Sequence, residues 1–297
     1  MPSAAPHVYT LTSNLLAERT LEFSRWAPGK TQRASSETFQ VGGKGINVSK
    51  MLTRFGLANT ALCFTGGAPG AECEAWLRAR SFNFRSFDTG RPTRTGTVVR
   101  AAGQPETTFL GPDVVPSPVA IAACADFLNA QPDGHLLAIC GSIPGWDTAD
   151  FDPLRDAVTR WNERGTLAVD TYGPPLKWFA TRPAALVKIN AAEFRTLHDA
   201  LQPLSKSLAE ITTRSPVQAW IVTDGADPVW FATRSDAPAS LAPPAVKEIS
   251  ATGSGDVFFA SILRSLFFDR VSLRESVAAA LPLAAANAAH PAIAEFP

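Results

Sequence analysis

Ser250-Ala251-Thr252-Gly253-Ser254-Gly255-Asp256 runs without a break into Val257-Phe258-Phe259-Ala260-Ser261-Ile262-Leu263. The first half is a loop punctuated by two glycines, and the second is too bulky and apolar for a surface. The pair reads as a loop capping the N-terminus of a buried helix. Gly253 and Gly255 permit positive φ and close approach of a ligand to the backbone. First-turn amides lack an intrahelical acceptor and point outward, so such a loop is an anion site. Asp256 would sit beside that anion, where a carboxylate can take a proton from a hydroxyl while Gly253, Ser254 and Gly255 hold developing charge. Taken alone, the same residues also fit an ordinary helix start with an acid in its first turn.

A second glycine cluster, Gly42-Gly43-Lys44-Gly45-Ile46-Asn47, opens a segment with Val48, Met51, Leu52 and Phe55 at helical spacing, closed by Gly56. Two glycine-rich loops, each opening a helix, narrow the reading. The stretch GGKGINVSKMLTRFG resembles the N-terminal signature of the PfkB, or ribokinase-like, carbohydrate kinases. ATGSGDVFFASIL is similar to their C-terminal signature, usually written D-T-x-G-A-G-D. The resemblance covers nearly the whole chain and is nearest the 1-phosphofructokinase and tagatose-6-phosphate kinase branch.

Composition agrees with an enzyme of small molecules. The chain of 297 residues is 45% hydrophobic, and Lys+Arg and Asp+Glu both number 27. A formal charge of zero gives no global attraction to nucleic acid or an anionic membrane. Cys63, Cys73, Cys124 and Cys140 show no C-x-x-C spacing and read as reduced, mostly buried thiols of a cytoplasmic protein. Residues 1–12 lack the basic start and apolar run of a signal peptide. Val277 to Ala289 contains Pro282 and Asn287 and is too short to span a bilayer.

Short apolar strands are expected at Val8–Thr12, Ala61–Thr65, Leu136–Cys140, Leu167–Asp170, Leu186–Ile189 and Ala219–Thr223. A hairpin strand follows at Val229–Thr233. Helices are expected at Ala71–Arg80, Val119–Ala130, Pro153–Arg164, Ala191–Leu201, Ser205–Arg214 and Ser272–Ala289. That alternation predicts an α/β fold, a mainly parallel sheet with helices on both faces. Such sheets bind ligands beyond the carboxyl ends of their strands. Gly141-Ser142, Asp170, Asn190 with Glu193, and Thr223 to Gly225 all fall there. Leu21–Phe23, Gln32–Phe39, Arg91–Ala101 and Glu106–Leu110 alternate like strands. The family resemblance implies that they form a small β lid over the substrate, often paired with the lid of a second subunit. The expected division is a core of residues 1–18, 41–90 and 112–297 and a lid of residues 19–40 and 91–111, with a homodimer through the lid.

The resemblance carries roles residue by residue. Ser13 to Thr20 is similar to N-P-A-x-D-x-T, with Leu15 for proline and Glu18 for the sugar-gripping aspartate. Gly42, Gly43 and Asn47 line the sugar site. Lys30, Arg33 and Arg94, with Ser142 of Gly141-Ser142-Ile143-Pro144, suit a sugar phosphate, because guanidinium forks match phosphate oxygens. Asn190 and Glu193 match N-x-x-E, which organises Mg²⁺ and its waters; they also have the form of a capping box. Thr223 and Gly225 resemble the nucleotide-facing T-x-G-x-x-G, with Pro228 at the second glycine, and Asn287 would reach adenine. Ser250 and Ala251 depart from the usual aspartate and threonine. The implied activity is ATP- and Mg²⁺-dependent phosphorylation of a hydroxymethyl group on a sugar phosphate. A kinase of an unphosphorylated sugar, or a non-catalytic sugar-phosphate binder, are the alternatives.

Overall fold

A computed structural model describes residues 6–198 and 202–297. Thirteen strands in these residues form two sheets, accompanied by nine α-helices. The large sheet contains β1 (Val8–Thr12), β4 (Asn59–Thr65), β5 (Phe84–Asp88), β8 (Leu136–Cys140), β9 (Thr166–Asp170), β10 (Leu186–Asn190), β11 (Ala219–Asp224), β12 (Asp227–Thr233) and β13 (Ala239–Leu241). Its order is β13-β12-β11-β10-β9-β8-β1-β4-β5. Seven neighbouring strands run parallel, and β12 and β13 add an antiparallel edge.

Period-2 side-chain alternation builds two cores from these strands. In β8, Leu137 and Ile139 face one layer while Leu136, Ala138 and Cys140 face the other. The first layer is covered by α3 (Pro118–Asn129), α4 (Asp152–Arg164), α5 (Pro174–Phe179), α6 (Ala191–Arg195) and α7 (Leu204–Arg214). The second is covered by α1 (Lys44–Arg54), α8 (Ser254–Leu263) and α9 (Leu273–Ala288). Burial on both faces is why these strands read as continuous apolar runs. The glycine-loop helix α8 is the most enclosed of the helices: every residue from Asp256 to Leu263 is buried. A π-turn, Arg264–Phe268, ends it before Ser272 caps α9 in a capping box with Glu275.

The small sheet has the order β3-β2-β6-β7, with β2 (Leu16–Phe23), β3 (Ser36–Gly42), β6 (Arg94–Ala101) and β7 (Thr107–Leu110). Its central pair, β2 with β6, is parallel, and the outer pairs are antiparallel. Its roots lie deeper than expected. Leu16 pairs with both Gly42 and Arg94, so β2 starts and β3 ends inside stretches assigned to the core. A third apolar cluster there, including Leu15, Ala17, Val41 and Ile46, packs on α2 (Gly67–Ala79).

Other differences are local. Helix α2 begins at Gly67 rather than Ala71 because the Gly66 and Gly67 backbone packs against Arg91 and Pro92, leaving no room for side chains. The expected helix Ala191–Leu201 is helical only to Arg195, and residues 199–201 lie outside the described set. Strands β5 and β13 and helix α5 carry no clear periodicity; the strands are edges fixed by their neighbours β4 and β12. All four cysteines are buried and unpaired. Among the described residues no helix is long and apolar enough to cross a membrane.

Helix α1 reaches the sheet through one small residue. A Cβ on Gly45 would collide with the Thr12 hydroxyl and meet Cys140 Cβ at 3.3 Å. Gly45→Ala should therefore cost about 1–3 kcal/mol by overpacking, read as a lower denaturation midpoint at unchanged m-value.

Candidate active site

Strands β1, β8, β9 and β10 deliver Thr12, Cys140, Asp170 and Asn190 to one edge of the sheet. A cavity of about 210 Å³ opens above that edge, beneath the small sheet. Both glycine loops border it. Gly43, the residue before α1, has φ 137°, and Gly253, before α8, has φ 78°, so each needs a conformation that disfavours side chains. A Cβ on Gly253 would also collide with Ile293, which is packed directly on the loop and forms part of the cavity wall.

Buried charge organises the centre. The Asp170 carboxylate is fully enclosed, with Lys44 Nζ at 2.6 Å from Oδ1 and Lys188 Nζ at 2.8 Å from Oδ2. Burial would raise its pKa, but the two ammonium groups outweigh burial and hold it below the usual carboxylate range. Lys44 also faces Glu193 Oε1 at 3.6 Å, and burial, which would lower its pKa, is overcome by Asp170 and Glu193. Asp256 stands nearby without an ammonium of its own. Asn47 Nδ2 donates to its Oδ2 at 2.7 Å. Burial raises the Asp256 pKa to about 6 despite Lys44, with the Asp170 charge adding to the rise. A buried carboxylate tuned toward neutrality beside an anion loop is suited to proton abstraction.

Glu18 Oε1 accepts from Gln40, and burial raises the carboxyl's pKa. Of the residues singled out in the sequence, Glu18, Gly42, Gly43, Asn47, Arg94, Ser142, Gly253 and Asp256 all border the one cavity. Arg94 is mostly buried, and its Nε has no hydrogen-bond partner among the described residues. Thr12 Oγ1 is likewise unpartnered at the cavity wall.

Several expected residues lie elsewhere. Lys30 and Arg33 are exposed in the connection between β2 and β3 and do not border the cavity. Thr223 and Gly225 sit at the end of β11, where Thr223 is in register with Asn190 of β10. Asn190 and Glu193 form a complete capping box: the Asn190 side chain accepts from the Glu193 amide, and Glu193 Oε2 accepts from the Asn190 amide. Asn287 corrects the expectation of an adenine contact. It is buried, donates to Thr252 O and Ser254 Oγ, and accepts from the Ala294 amide, so its side chain staples the second glycine loop to the segment after α9. Tyr172 and Ile293 border the cavity and were not anticipated; nor was Lys188 as the partner of Asp170.

The family model for pfkB carbohydrate kinases matches residues 8–115 and 178–295. The chain belongs to that family. Among curated proteins it is 24% identical to the 1-phosphofructokinase of Bacillus subtilis, over 87% of this chain and 85% of that one. It is 26% identical to the ATP-dependent 6-phosphofructokinase isozyme 2 of Escherichia coli, over 91% and 88%. Among solved structures, phosphofructokinase-2 from Escherichia coli in complex with substrates and products superposes with a TM-score of 0.87 at 21% identity, covering 98% of this chain and 95% of that chain. The fold is ribokinase-like, and the protein is a carbohydrate kinase of the pfkB type.

The charge arrangement makes opposite stability predictions for the two aspartates. Asp170→Asn strands the buried ammonium of Lys188, leaves Lys44 with Glu193 alone, and should cost about 3–5 kcal/mol at neutral pH. Because its folded pKa is lowered, that stabilisation is present above the unfolded value and fades as pH falls through the folded one. Asp256 is raised from 3.8 to about 6, so the wild type loses stability as pH climbs through that window. Asp256→Asn should recover up to about 3 kcal/mol at pH 8 and almost nothing below pH 4. Denaturation curves of both variants at the two pH values check the signs.

Proposed function

We propose that this kinase transfers the γ-phosphoryl group of ATP to a hydroxymethyl group of a sugar that already carries a phosphate, of the fructose 1-phosphate or tagatose 6-phosphate type. The observation that carries the reading is a single cavity with a near-neutral carboxylate at one place and a mostly buried arginine, Nε unpartnered, at another. The 1-phosphofructokinase name borne by several relatives supports it.

Asp256 accepts the proton of the acceptor hydroxyl as the oxygen–phosphorus bond forms, and Asn47 fixes the rotamer that aims it. The amides at Gly253, Ser254 and Gly255 meet the charge spreading over the transferred group. Lys44, held at the cavity edge by Asp170, adds positive potential there. Glu18 accepts hydroxyls of the sugar, and Arg94 with Ser142 receives its phosphate. Magnesium-bound ATP supplies the phosphoryl group. Thr223, Gly225, Asn190 and Glu193 offer it the open end of β10 and β11. Glu193 already bonds the Asn190 amide, and no cluster of three metal-ligating side chains occurs among the described residues. That donor set fits a magnesium ion: Asn190 and Glu193 would hold it through its waters, and it would offset charge on the nucleotide's phosphates.

Pairing of two copies through the small sheet belongs to the same reading. Phe109 and Leu110 on its outer strand β7 are 54% and 57% exposed. Sedimentation equilibrium should give twice the mass of one chain; a monomer at micromolar concentration would reject the pairing.

A coupled assay across sugars and sugar monophosphates tests the assignment. A monophosphate should exceed its dephosphorylated analogue in kcat/KM by at least about 10²-fold. Asp256→Asn should lower kcat by about 10²–10⁴ with little loss of acceptor binding. Arg94→Ala should cost about 2–4 kcal/mol in kcat/KM on the monophosphate. In the wild type, activity should fall on the acid side with an apparent pKa near 6, since protonated Asp256 cannot take the hydroxyl proton. Equal rates on both acceptor classes would move the assignment to a free sugar.

A further inference from the structure

Residues of the proposed phosphate subsite already engage an anion supplied by the chain. Asp113 lies in the connection between β7 and α3. Its Oδ1 accepts from Asn14 Nδ2 at 2.7 Å and pairs with Arg94 Nη1 at 3.2 Å. Asn14 Nδ2 also lies 2.9 Å from Ser142 Oγ, and Arg94 Nη2 donates to the Asn14 carbonyl oxygen at 3.1 Å. Thus the guanidinium and hydroxyl assigned to the acceptor's phosphate converge, directly or through Asn14, on one carboxylate.

The two partners of this ion pair are unequally anchored. The Arg94 side chain is 13% exposed and the Asp113 side chain 60%. Arg94 is fixed in the wall, whereas Asp113 reaches in from the solvent side on a connection without regular structure. The carboxylate uses only Nη1, while the buried Nε has no hydrogen-bond partner among the described residues. A phosphate has three acceptor oxygens and can bond two guanidinium N–H groups at once, so it can engage donors that Asp113 leaves open. An exposed carboxylate loses little on returning to water.

We infer that Asp113 is a specificity-determining residue: its carboxylate occupies the acceptor-phosphate subsite as an internal competitor, and an incoming phosphate displaces it. The inference rests on the proposed function and deepens it. The competitor keeps Arg94 and Asn14 oriented when no acceptor is bound and offsets their charge. It also makes every anion that enters displace an ion pair, which a dianionic phosphate does more readily than a weaker anion. In the exchange one carboxylate–guanidinium pair breaks and one phosphate–guanidinium pair forms, with no covalent change.

Removing the competitor should tighten anion binding, whereas loss of a mere support for Arg94 would weaken it. Asp113→Asn keeps the side-chain shape and can still accept from Asn14. Calorimetric titration of inorganic phosphate into the ATP-free protein should show a Kd lower than wild type by about 5–30-fold, the scale of one partly exposed charge-assisted pair. The acceptor KM should fall in parallel. Adding Arg94→Ala to Asp113→Asn should abolish the gain, and Asp113→Ser should reproduce it. Unchanged or weaker phosphate binding in Asp113→Asn and Asp113→Ser, with normal thermal unfolding, would overturn the inference. The titration needs no turnover, so absence of kinase activity on every sugar phosphate would sink the substrate assignment without deciding the role of Asp113.

Discussion

The arrangement above the sheet depends on the burial of one carboxylate between two lysines. Asp170 ends β9, Lys188 belongs to the neighbouring β10, and Lys44 opens α1. Any one of these charges alone under the loops would cost several kcal/mol. Together they pin the first glycine loop to the middle of the sheet, because Lys44 follows Gly43 directly. They also set the potential around Asp256. The Asp170 charge pushes the Asp256 pKa up while Lys44 and Lys188 pull it down, and burial decides the balance. A single triad thereby fixes the geometry of one loop and the basicity of the carboxylate beside the other.

Much of this was legible in the chain. The two glycine loops identified the two helices that open at the cavity, and the alternation of short apolar strands with helices identified the sheet and the edge above which the cavity opens. The buried run Val257–Leu263 was readable because a helix without a polar face has nowhere else to go. Lys188, one of the two lysines of the triad, was missed as a partner of Asp170, though a signal existed. It lies on the same strand face as Leu186, and a lysine pointing into an apolar layer must find a partner. Asn287 carried a similar signal: it lies seven residues after buried Ala280, on the same helical face, so its amide had to be spent internally. Lys30 and Arg33 show the limit of roles carried over from a resemblance. A matching place along the chain says nothing about where a connection between β2 and β3 carries a side chain in space. Edges such as β5 and β13 were unreadable because neighbouring strands, rather than their own side chains, define them.

The second loop is secured from outside its own helix. Asn287 holds Thr252 and Ser254 from α9, and Ile293 fills the space over Gly253. The tail carrying Ile293 is fastened to α1, where Lys50 bonds both Ile293 O and Glu295. The small sheet touches the same loop. Glu106 Oε1 accepts from Thr252 Oγ1 and its Oε2 pairs with Arg100, which also donates to Pro291 O. Loop, tail and small sheet are thus mechanically continuous, and a shift in one is felt by the others.

The hydrogen bond from Asn47 to Asp256 closes 209 residues of chain. Contacts of that span form late, because loop-closure entropy must be met before they contribute. On a ribosome, β1, α1 and the first glycine loop emerge long before the residue that Asn47 is to orient. The nascent chain therefore holds one wall of the cavity without the other, and the two meet only when synthesis has passed α8.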